Sequence, residues 1–172
     1  MNIKKKLLSV ILILIAVVLT GCDEISFDVE GQNYSITTGP TPENNFKPIA
    51  SYDPEYKKIL ILGSDIPVLS TMEKMIYLEI ENVDPENRTG VYGPEDCSLG
   101  VQYNSEVGTL EGDITVTLEK VEEPGGYIQG SFSGVLDNGD EITNGWFSVT
   151  NMVEGNDNTV SEFRAEIVKN KK

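Results

Sequence analysis

The chain of 172 residues contains no histidine. That absence removes the commonest general base, the Ser-His-Asp triad and every imidazole metal site. Cysteine occurs only at Cys22 and Cys97, and Trp146 is the single tryptophan. Positive charge is also scarce: 13 Lys and Arg face 28 Asp and Glu, for a formal net charge of −15. Such a surface repels nucleic-acid phosphates and anionic lipid headgroups, so no nucleic-acid partner is expected. It can collect divalent cations or basic partners, or simply keep the chain soluble. No Gly-rich phosphate loop of the strand–loop–helix type is present, and no amphipathic helix of useful length. Neither an internal repeat nor a domain boundary is evident.

What the chain does have begins with an address. Lys4, Lys5 and Lys6 form a basic head, and residues 7–19 are an almost unbroken apolar run. That run is shorter than the roughly 20 residues a bilayer crossing needs, so it reads as the core of a secretory signal peptide. Leu19, Thr20, Gly21 and Cys22 then resemble the lipobox of bacterial lipoproteins at all four positions. The resemblance implies cleavage before Cys22 and acylation of its sulfur, so that lipid is the route to the membrane. Several acyl chains, at about 0.8 kcal/mol per buried CH₂, anchor durably where one would not. Residues 1–21 are thus a cleaved signal peptide and residues 22–172 one extracytoplasmic domain. Cleavage removes 21 of the 172 residues, leaving 151, and takes away three lysines and no acid, moving the charge from −15 to −18. With Cys22 committed to lipid, Cys97 has no intramolecular disulfide partner. No basic residue lies near it in sequence to activate it, so it reads as inert packing.

The mature chain reads as strands throughout. Ile25, Phe27 and Val29 alternate with polar residues, and Gly31, Gln32 and Asn33 turn the chain back through Tyr34 to Thr37. Residues 39–45 are a loop rich in proline, glycine and asparagine. Residues 46–52 are an extended piece whose Pro48 confines it to an edge. Residues 57–63 form a buried apolar strand, and Ser70–Lys74 has the makings of one helical turn. Ile76, Leu78 and Ile80 face inward; so do Ile114, Val116 and Leu118; so do Phe163, Ala165 and Ile167. The clearest unit is the hairpin over residues 125–150. There Ile128, Gly130, Phe132, Gly134 and Leu136 share a face, and Asp137–Asn138–Gly139–Asp140 makes the turn. Ile142 is out of phase with Phe147 and Val149, which predicts a bulge at Asn144–Gly145. The expectation is an all-β antiparallel sandwich of about eight strands, with a barrel as the alternative.

The order Gly90-Val91-Tyr92, Gly112-Asp113-Ile114-Thr115-Val116-Thr117, Gly130-Ser131-Phe132-Ser133, then Ile142-Thr143-Asn144-Gly145-Trp146-Phe147 resembles a group of uncharacterised bacterial lipoproteins. Their pattern runs G-T-Y, G-x-I-T-V-T, G-x-F-S and I-T-x-G-x-F, with Val91 here in place of the usual threonine. The resemblance implies a secreted β-sandwich in the cell envelope. It supplies no catalytic residues to carry over.

Two candidate sites follow from the strands themselves. Trp146 is out of phase with Phe147 and Val149, and Tyr127, Gln129, Ser131 and Ser133 lie on the outer face of the partner strand. An aromatic ring beside hydroxyl and amide groups is suited to binding sugar, unless a loop or second sheet covers Trp146. Asp137, Asp140 and Glu141 crowd oxygen ligands into one turn, as calcium requires, although turn chemistry explains them equally well. No cofactor is implied. Three readings stand: a lipid-anchored domain binding a polysaccharide or protein of the envelope, a structural envelope lipoprotein, and a carboxylate-dependent hydrolase.

Overall fold

A computed structural model describes residues 23–37, 48–64, 74–103 and 109–152. The signal peptide, Cys22, the loop at 39–45, residues 70–73 of the expected helical turn and the strand read at 163–167 lie outside them. The described residues hold ten strands and no helix: β1 (Glu24–Val29), β2 (Gln32–Thr37), β3 (Ile49–Asp53), β4 (Lys58–Ser64), β5 (Met75–Ile80), β6 (Gly90–Tyr92), β7 (Cys97–Gln102), β8 (Leu110–Val121), β9 (Tyr127–Leu136) and β10 (Glu141–Thr150). They form one continuous antiparallel sheet in the order β2-β1-β10-β9-β8-β7-β5-β4-β3. β6 pairs with β8 beyond the reach of β7, along the same edge.

This single sheet curls into a half-barrel, so the layers expected of a sandwich are two parts of one ladder. The curl brings β4 against β1 and β2. A Cβ on Gly63 would lie 2.8 Å from Ile25 Cδ1 and 3.4 Å from Ile36 Cγ2, so the two walls meet across this glycine. Asn151 ties β3 to the end of β10. It bridges Ala50 in parallel, its side chain accepts from the Tyr52 N–H at 3.3 Å, and its amide donates to the Glu122 carbonyl at 2.7 Å.

Period-two alternation places the apolar face of each strand inside. Phe27, Phe132 and Phe147 meet there, with ring centroids 6.2 Å and 6.3 Å apart. Gly130 stands opposite Phe147, and a Cβ at Gly130 would come within 2.7 Å of that ring and 2.3 Å of the Thr117 carbonyl oxygen. Cys97 is buried as expected of a packing residue, with its thiol facing the Tyr92 carbonyl at 3.6 Å. Burial, with the Asp96 carboxylate adding, pushes that thiol from 9.0 up to about 12, so it stays protonated and inert.

The first turn is Glu30–Gly31 rather than the Gly31–Asn33 read from sequence. Glu30 and Gly31 both adopt positive φ, at 49° and 79°, and Val29 pairs with Gln32. A two-residue loop with two left-handed residues matches the twist of its strands, so Gln32 and Asn33 belong to β2 rather than to the turn.

Candidate functional site

The bulge read from the phase change in β10 decides what the outer surface carries. Between Ile142 and Gly145 the register shifts by one residue against β9, and β1 sees the same shift on the other side. Asn144 absorbs the extra residue at φ 52°. Its side-chain amide donates to Asp28 Oδ2 at 2.8 Å, while Asn33 donates to Oδ1 at 2.8 Å. These two bonds, that from Asn144 foremost, hold the Asp28 carboxyl below its ordinary value. With the phase reset, Gly145 and Phe147 face the core and Trp146 faces out, 38% exposed.

Trp146 sits directly between Ser26 on β1 and Ser131 on β9. The same row continues to Ser35 on β2 in one direction and to Thr117 and Val91 in the other. Ser26, Ser131 and Thr117 make no hydrogen bond through their hydroxyls among the described residues, and Trp146 makes no ring contact there. Gln129 lies one row away, where its amide donates to Ser148 Oγ at 2.8 Å. Tyr127 is a row farther still, opposite Thr150. The structure therefore gathers Trp146 with Gln129 and leaves Tyr127 at the margin. It adds Ser26, Ser35, Thr117 and Val91, whose outward phase is readable in sequence but whose strand neighbours are not. Val91, Val135 and Trp146, three of the four large hydrophobic side chains left exposed among the described residues, all lie on this outer face.

The acidic turn is arranged differently from a cation site. Asp140 accepts from the Tyr103 hydroxyl and from Asn138 Nδ2, contacts that lower its pKa, the tyrosine foremost. The Glu141 N–H donates to Glu30 Oε1, tying the start of β10 to the first turn. Asp137 points elsewhere, into the lining of a cavity beyond β8. Among the described residues no three carboxylate or thiol side chains group to hold a metal ion. Turn chemistry accounts for these residues: the Gly139 N–H returns to the Leu136 carbonyl at 2.8 Å, with Gly139 at φ 93°.

That cavity has a volume of about 290 Å³, with Tyr77, Gly100, Thr109, Glu111, Asp113 and Asp137 in its lining. Its three carboxylates are all solvent-exposed. No protein-family model, curated protein or solved structure matches the chain.

Proposed function

We propose that this chain is a bacterial envelope lipoprotein whose Cys22-acylated domain binds a ligand or partner without catalysing a reaction. Trp146 carries the binding reading: an exposed ring among unengaged hydroxyls, on a sheet whose other face is closed core. Leaving an indole in water forgoes burial free energy that a packed position would supply, and a ligand stacked on it would recover that.

The lipobox residues Leu19 to Cys22 support the anchor, and the resemblance to uncharacterised lipoproteins is part of the same proposal. Little chain separates anchor and fold. Asp23 is buried, with Oδ1 accepting from the Thr150 N–H at 2.7 Å and the Thr150 hydroxyl at 2.6 Å. A lipid on Cys22 would hold the Glu24 end of β1 against the membrane. Trp146, opposite Ser26, would then stand only about 7 Å farther out along the strand.

The test is recovery of envelope components on the full lipid-anchored protein, with an inert lipoprotein on the same anchor as control. The wild type should retain a component that Trp146→Ala loses. Equal recovery by both variants contradicts the binding face. Cys22→Ser should remain uncleaved and take up no acyl label; normal processing of that variant contradicts the anchor.

A further inference from the structure

The proposed binding face has a composition that selects among occupants. Its central row, Ser35–Ser26–Trp146–Ser131–Thr117–Val91, crosses six strands and carries no charge. At about 4.8 Å between strands, the row is roughly 24 Å long. The rows on either side carry Glu24 and Asp28. Lys120, the basic residue beside Gln129, is paired with Glu122 at 2.7 Å. A polyanion would meet net negative charge here, with no uncommitted cation in these rows among the described residues to neutralise it. A peripheral lipid site draws on an apolar cluster and basic residues, and neither is present in this row. Protein interfaces concentrate aromatic, methionine and arginine side chains at their centres, whereas one indole among small hydroxyls is a sparse centre of that kind.

We infer, resting on the reading of this face as the binding site, that its occupant is an extended, uncharged polysaccharide with equatorial hydroxyls, lying across the strands. Such a chain presents flat C–H-rich ring faces and a hydroxyl-bearing edge. One ring stacks on Trp146 while the hydroxyls of Ser26, Ser131 and Thr117 exchange hydrogen bonds with its neighbours. Because the sheet curls, the contact is centred on Trp146, with Ser26 and Ser131 on the strands to either side of it.

The experiment uses the full lipidated chain in a polyoxyethylene detergent, which carries no sugar to compete. Co-sedimentation is measured with microcrystalline cellulose and with chitin, and Trp146 emission is recorded with soluble oligomers of each and with alginate as the anionic probe. Binding to at least one neutral polymer is expected, insensitive to high salt, with blue-shifted and quench-protected Trp146 emission and no response to alginate. Trp146→Ala should weaken it by about tenfold, the order of one aromatic contact. Should that variant misfold, Thr117→Asp and Ser131→Asp carry the same expectation, while Tyr56→Ser, at an exposed site away from this row, should bind as wild type. Silence with both neutral polymers, together with protection of Trp146 by whole envelope extract, overturns the polysaccharide and leaves the binding face standing. Silence with the extract as well overturns both. Protection by zwitterionic vesicles alone, with nothing added by sugar, assigns the face to lipid and overturns the inference.

Discussion

Asn144 reaches across from β10 to β1 and donates its side-chain N–H to Asp28 at 2.8 Å, at the one position where both neighbours of β10 lose register. The contact crosses to β1 at the bulge that turns Trp146 outward. Asparagine tolerates the left-handed φ of 52° that a β-branched residue does not. Asn144→Gly should therefore leave the backbone in place, whereas Asn144→Val should cost about 1–2 kcal/mol in chemical denaturation. In the valine variant the Asp28 carboxyl, followed by NMR, should titrate closer to its ordinary value. The contribution of Asp28 is present above its unfolded value of 3.8 and lost as pH falls through the lower folded value. An unmoved Asp28 titration would mean that Asn144 does not hold it.

Phe132 and Ser131 are neighbours with opposite fates. Phe132 is packed between Phe27 and Phe147, so Phe132→Ala should cost about 3–5 kcal/mol. The Ser131 hydroxyl has no partner among the described residues, and Ser131→Ala should change stability by less than about 0.5 kcal/mol. Comparable losses in the two variants would place the strand inside out.

Alternation made that contrast legible before any coordinates, because burial of one face imposes a period of two on each strand. Ile76, Leu78 and Ile80, or Ile114, Val116 and Leu118, face the core as their spacing says. The bulge at Asn144–Gly145 was legible for the same reason, since Ile142 and Phe147 could not otherwise share a face. Strand order was not. Local alternation records which way a side chain points and nothing about which strand lies beside it, so the pairing of β1 with β10 left no local mark. Hence Trp146 could be expected to face outward, with Ser131 on the outer face of its partner strand, while Ser26 and Thr117 could not be placed in its row. The acidic turn was ambiguous in sequence because the same oxygens serve a turn or a cation, and the contact of Asp140 with Tyr103 left no local mark.

Asn151 carried no signal in the sequence, yet it closes the curl. Asn151→Ala would leave the Tyr52 N–H and the Glu122 carbonyl without their side-chain partner. The Tyr52 N–H is buried and the Glu122 carbonyl only partly so, and one unsatisfied buried group costs about 1–3 kcal/mol, so a loss of that order is expected. Hydrogen exchange should quicken first in β3. A loss below about 0.5 kcal/mol would show that closure does not depend on this side chain.

Cys97 predicts a loss of stability in alkali. Its thiol is raised from 9.0 to about 12 in the folded chain, so the unfolded chain releases its proton first. Stability from this group is complete well below pH 9 and declines as pH rises from 9 toward 12. Cys97→Ala should flatten that decline in denaturant titrations at pH 8 and 10. An identical slope in both proteins would contradict a buried, protonated thiol.

The account rests most heavily on Trp146 facing solvent while Phe147 faces the core, and the single indole of the chain can be read directly. Acrylamide quenching of the native lipoprotein should be efficient and its emission red-shifted, with Phe147→Leu altering stability but not the quenching. Blue-shifted emission that resists acrylamide in the absence of any ligand would place Trp146 under cover and contradict the binding face.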